Sequence, residues 1–103
     1  MPVFDLETMQ AEDYENRDKN VFFEHERFKT RIIDLDAGGE MPDCQMESFV
    51  IFVVVSGSVT VYRNNEPITL RRNQVFITEP ALLSMRSEGG AKLMGIRIGR
   101  GLT

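Results

Sequence analysis

The chain is short of the residues that build metal and disulfide chemistry. It holds one cysteine, Cys44, and one histidine, His25. A lone cysteine excludes a disulfide within the chain. A lone histidine excludes any site that needs three imidazoles from one copy. No apolar run approaches the ~20 residues of a membrane-spanning helix. The opening residues, Met1-Pro2-Val3-Phe4-Asp5, have neither the basic start nor the apolar stretch of a secretory leader. Positive charge is in deficit, with 12 Lys and Arg against 16 Asp and Glu and a net charge of −4. That balance disfavours non-specific nucleic-acid binding and favours solubility. Together these absences point to a cytoplasmic protein with no membrane and no nucleic-acid partner.

What is present is the grammar of a single β domain. The 103 residues, 42% hydrophobic and 27% charged, are those of one ordinary globule. Residues 1–20 are polar and acidic, with scattered Leu6, Met9 and Tyr14, and read as an N-terminal arm holding at most one short helical turn. Residues 21–103 read as a β-barrel domain. Strands are expected over Val21–His25, Phe28–Leu35, Glu47–Ser56, Ser58–Arg63, Ile68–Leu70, Gln74–Thr78, Leu82–Arg86 and Lys92–Arg97. Asn64-Asn65 suits the left-handed backbone of a tight hairpin turn. Ala37-Gly38-Gly39 and Gly89-Gly90 are further turn signals. Short strands at this spacing, with no helix between them, argue for a sandwich or barrel and against a parallel α/β sheet.

One strand carries more. Phe49-Val50-Ile51-Phe52-Val53-Val54-Val55 is apolar throughout, whereas a strand with one wet face alternates. Both its faces are therefore expected to be covered. With Val50, Phe52 and Val54 turned inward, Phe49, Ile51, Val53 and Val55 form an outer stripe. That stripe needs a cover, from the arm or from a second copy, and a homodimer is the expected state.

Gly38 and Gly57 stand nineteen residues apart. Between them Cys44, Met46 and Val50 fall where the metal-binding cupin motif has His, His and Glu. A second motif follows, with Asn73-Gln74 in the place of its Gly-Asp, the turn Glu79-Pro80-Ala81, Ser84 in the third histidine slot and Glu88 in the later asparagine slot. Over residues 31–98 the chain resembles a small single-domain cupin of the conserved-barrel type that lacks the usual metal ligands. The resemblance implies an all-β fold, the double-stranded β-helix or jelly-roll barrel. It also implies an interior lined by Cys44, Met46, Val50, Phe52, Val54 and Ser84. Valine cannot coordinate a metal, neutral serine is a poor ligand and thioether is soft and weak. No metal and no cofactor are expected.

The other candidates divide between a chemical and a plainer reading. Cys44 could serve as a nucleophile or soft-metal ligand, but a free cysteine is most often a small buried apolar residue. Met41, Cys44, Met46, Met85 and Met94 would suit Cu(I), yet methionine is also the usual core filler. His25 lies among Glu24, Glu26 and Arg27, where a solvated edge position is the plainer reading. Glu40, Asp43 and Glu47 flank the first motif and read as a wet loop edge. Arg86 shares a strand face with Ser84, which places it at the barrel mouth, where a guanidinium binds carboxylate or phosphate. Arg31, Arg63, Arg97 and Arg100 read as strand-end cations.

These readings favour a metal-free, non-catalytic domain that binds a small organic ligand, an acid among the candidates, or serves as an interaction module. Cys44, Met46, Val50, Phe52, Ser84 and Arg86 would line its site. No catalytic residue is assigned. One alternative is a metal-independent isomerase, epimerase or lyase, which requires a titratable pair facing the interior. Another is a ligand-sensing regulatory module acting through a partner.

Overall fold

The computed structural model describes residues 2–99. Residues 100–103, including Arg100 and the end of the expected barrel domain, lie outside the described residues. Eight strands follow a 3₁₀ segment at Tyr14–Asn20: β1 (Val21–Glu24), β2 (Phe28–Leu35), β3 (Glu40–Gln45), β4 (Phe49–Arg63), β5 (Glu66–Arg71), β6 (Val75–Thr78), β7 (Leu82–Arg86) and β8 (Ala91–Ile98). All pairings are antiparallel. One sheet runs β1–β2–β8–β4–β6 and the other β3–β7–β4–β5. The chain thus forms a double-stranded β-helix, the all-β architecture expected.

β4 belongs to both sheets. Its first half pairs with β6 and β8, its second half with β5 and β7. The two strands expected on either side of Gly57 are therefore one strand of 15 residues. A register shift between Val54 and Ser56 changes which residues face inward. Val50, Phe52 and Val54 are buried before the shift, and Val59 and Val61 after it. Gly57 sits where the strand passes between sheets, with φ +75°. A Cβ there would collide with the Gly90 carbonyl oxygen and lie 2.9 Å from Ala91 Cα. Glycine alone fits both the backbone conformation and the contact.

The hairpin turn at Asn64-Asn65 has φ of 49° and 70°, the left-handed pair anticipated from the two asparagines. Asn73, in the turn before β6, is also left-handed at φ 68°. β3 is a strand not foreseen. It is irregular, with a register shift between Met41 and Cys44. The shift contains Pro42, which has no N–H to give a ladder and is at home on an edge strand. It brings Met41 opposite Met85 and Cys44 opposite Leu83.

The core is Leu35, Met41, Met46, Val50, Phe52, Val54, Val59, Val61, Leu70, Ala81, Leu83, Met85, Ala91 and Leu93. On β7 the fully buried residues are Leu83 and Met85. Ser84 and Arg86 were expected inside, and the structure corrects this. Strand alternation puts them on the outer face, Ser84 opposite Tyr62 and Arg86 opposite Thr60. The reason is transfer energy: leucine and methionine gain far more from burial than serine, and arginine loses by it.

The arm packs onto the barrel at several places, among them Phe4, whose ring meets that of Phe22 edge to face with centroids 4.9 Å apart. Lys92 Nζ donates to the carbonyl oxygens of Leu6, Glu7 and Met9 at 3.0, 3.1 and 2.7 Å. Further on, Asn20 Oδ1 accepts from Glu12 N at 2.7 Å and Asn20 Nδ2 donates to Glu12 O at 2.9 Å. Asn20 is buried, and this paired bond pins residues 12–20 into a closed loop. Tyr14 of that loop packs against the core.

Candidate functional site

A cavity of about 60 Å³ lies between the inner face of β2, β8 and β4, the strand β3 and the loop 12–20. A water needs roughly 10–15 Å³ on this measure, so a few waters or a handful of ligand atoms would fill it. Its walls include Met41, Met46, Val50, Phe52 and Ile33, all apolar. Ile32, Leu35 and Gly95 also border it, and its charged or polar lining is Glu12, Tyr14, Arg17 and Asn20 from the arm, Lys29, Arg31 and Asp34 from β2, and Arg97 from β8.

Register explains how arginines reach an interior. Inward positions on β2 are Lys29, Arg31, Ile33 and Leu35, by alternation from the core residue Leu35. On β8 they are Ala91, Leu93, Gly95 and Arg97. Cross-strand pairing sets Arg97 between Lys29 and Val50, and Gly95 between Arg31 and Phe52. Arg31 and Arg97 are thus diagonal neighbours on one face, within reach of each other. Between them Gly95 carries no side chain, and Ile33 and Phe52 close over it. A Cβ there would touch Ile33 Cδ1 and Phe52 Cε1, both at 3.4 Å. The ring of Phe52 in turn stacks on Phe76, with centroids 6.5 Å apart.

The two guanidiniums are poorly compensated. The Nε atoms of Arg31 and Arg97 are buried and have no hydrogen-bond partner. Asp18 approaches Arg31 Nη2 only to 3.8 Å, and its own side chain is fully exposed, so the pair is weak. Among the described residues Arg97 has no ion pair, whereas Lys29 meets Glu24 at 3.3 Å. Burial lowers the pKa of Arg31 below its ordinary value, and the charge of Arg97 lowers it further. Arginine stays protonated even so. A cation whose pKa falls on folding is less favoured in the folded state than in the unfolded one at every pH below that pKa, so the charge on Arg31 is a term that opposes folding. Arg17 lies 4.5 Å above the Tyr14 ring, a cation–π contact that leaves its charge at the rim. Around the cavity stand four cations (Arg17, Lys29, Arg31, Arg97) and the carboxylate of Glu12, while Asp34 is turned outward by the alternation of β2.

Of the residues expected to line a site, Met46, Val50 and Phe52 border this cavity. Cys44 is half-buried and packs against the core beside it. Ser84 and Arg86 are not there. Arg86 instead borders a shallow polar depression on the outer face of the second sheet, with Thr60, Tyr62, Thr69 and Glu88. His25 stands in the β1–β2 turn, where its Nδ1 accepts from Arg27 N at 3.2 Å and its ring stacks on Phe28. Met94 lies opposite in phase to buried Leu93, away from the other methionines of the proposed soft cluster. Among the described residues no three of His, Cys, Asp and Glu come together as a metal site. Arg31 and Arg97 were read as strand-end cations, and they are the polar centre of the cavity. Their signal in the sequence was slight: each is two residues from a position that must face inward, Ile33 and Gly95.

No protein-family profile matches the chain, and no curated protein is similar to it in sequence. Solved structures are similar in fold. A protein from Thermus thermophilus superposes with a TM-score of 0.83 at 22% identity, over 97% of this chain and 99% of that one. The cupin domain of a Schizosaccharomyces pombe protein gives 0.78 at 17% identity, over 93% and 68%. A cupin superfamily protein from Desulfitobacterium hafniense gives 0.71 at 11% identity, over 76% and 72%. No helix among the described residues is long and apolar enough to cross a membrane.

Proposed function

We propose that this chain, which has the cupin fold, is a non-catalytic binding domain for a small organic molecule held in the cavity beneath residues 12–20. One observation carries the reading. Beneath the arm a cavity of about 60 Å³ is walled by Met46, Val50, Phe52 and Ile33, with the unpartnered Nε atoms of Arg31 and Arg97 beside them. An apolar pocket with a few convergent polar groups is the usual make-up of a ligand site. Catalysis by a metal-independent route would need a general base positioned on the ligand. The inward positions of β2, β4 and β8 at the cavity supply arginine, lysine and apolar groups instead, and Glu12 belongs to the arm. The test is calorimetric titration with butyrate, butyramide and butylamine. At least one should bind the native chain, and Gly95→Leu, which adds a bulky side chain at the cavity wall, should abolish that binding. Failure of all three to bind would overturn the reading.

A second reading concerns the outer face of the first sheet. Phe49, Val75, Ile77 and Ile98 are exposed there at 49, 54, 63 and 41%. Pairing brings them together, since Phe49 lies opposite Ile98 and Ile51 opposite Ile77. We propose that a second copy covers this face, because a self-complementary apolar patch is satisfied by its own twofold mate. Sedimentation should show a dimer at micromolar concentration, and Ile77→Lys a monomer. A native chain that remains monomeric would remove this proposal.

A further inference from the structure

We infer that the ligand of this cavity is a small organic carboxylate, its acid group seated between Arg31 and Arg97 and its alkyl part against Met46 and Phe52. The inference rests on the binding reading above and names its ligand class. Three observations carry it.

The first is the orphaned donors. A buried N–H without a partner is rare in a native protein, and here two face one cavity, on Arg31 and Arg97. Guanidinium N–H groups match the two oxygens of a carboxylate bidentately, so one acid group can satisfy both arginines. The second is the charge pattern. Two cations on diagonal positions of adjacent strands repel each other, and among the described residues no carboxylate forms an ion pair with either closer than Asp18 at 3.8 Å. An arriving anion relieves that repulsion, which a neutral or cationic ligand cannot do. The third is the apolar part of the wall. An alkyl chain gains by contact with Met46, Val50, Phe52 and Ile33, a gain that inorganic phosphate has no group to make. Arg86, the cation first suggested for an acid group, is exposed on the other side of the sheet.

The probes already named separate this inference from the reading beneath it. Butyrate, butyramide and butylamine share a tail and differ in the head group. Butyrate should bind the native chain at least tenfold more tightly than butyramide, and butylamine should not bind. Inorganic phosphate should bind more weakly than butyrate. Arg97→Met, which keeps the length and removes the charge, should abolish the preference of acid over amide. Equal affinity for butyrate and butyramide would overturn the carboxylate while leaving the cavity a binding site. So would phosphate binding as tightly as butyrate. Silence from every probe would overturn both readings. The acid–amide comparison uses the native chain, so it stands even if Arg97→Met fails to fold.

Discussion

The two sheets enclose one interior and treat it differently. On the inner face of β3–β7–β4–β5, Val59, Val61, Leu70, Leu83 and Met85 are all buried, and no charge intrudes. On the inner face of β2–β8–β4, apolar pairs such as Leu35 opposite Ala91 give way within a few residues to Arg31 and Arg97. The difference teaches where the fold draws its stability and where it gives some up. The first surface follows the rule that interiors are close-packed and apolar. The second keeps unpartnered donors and an opening, features that oppose folding and make sense as a site.

Substitutions can break or sharpen this contrast. The largest effect is expected at the hinge between the sheets. Gly57→Ala adds a backbone collision to the about 1–3 kcal/mol of left-handed strain, and should leave little cooperative unfolding in a thermal melt. Next, on the packed side, Leu83→Ala should cost about 2–5 kcal/mol in denaturant titration, as expected for a fully buried leucine. Asn20→Ala strips the paired bond to Glu12 and should cost about 1–3 kcal/mol. It should also speed amide hydrogen exchange in residues 12–20. The smallest effect has the opposite sign. Arg97→Met, without ligand, should raise stability by about 1 kcal/mol, because it removes a buried unsatisfied donor and a like-charge neighbour of Arg31. Loss of stability there would erase the distinction between the two surfaces.

Much of the fold was legible because local chemistry and global architecture agree. The run Phe49–Val55 announced a strand, and Val50, Phe52 and Val54 face inward as its phase required, while Phe49 on the other face is exposed. Asn64 and Asn65 announced their turn. β7 was misread for an instructive reason. Its motif slot argued for Ser84 inside, while the apolarity of Leu83 and Met85 argued for the reverse phase, and apolarity decided. β3 was obscured by its irregularity, since a register shift at Pro42 destroys the period of two by which strands are recognised. The cavity was the least legible part. β2 reads Phe28-Lys29-Thr30-Arg31-Ile32-Ile33-Asp34-Leu35, with charged and apolar residues in both phases, so neither face declares itself. Only the pairing of β2 with β8 and β4, a long-range fact, puts two arginines side by side.

β4 runs unbroken from one layer of the barrel to the other. Neither layer can dissolve without stripping partners from the remaining one. Heating should therefore melt the protein in a single step, with circular dichroism of the backbone and fluorescence of Tyr14 and Tyr62 reporting the same midpoint.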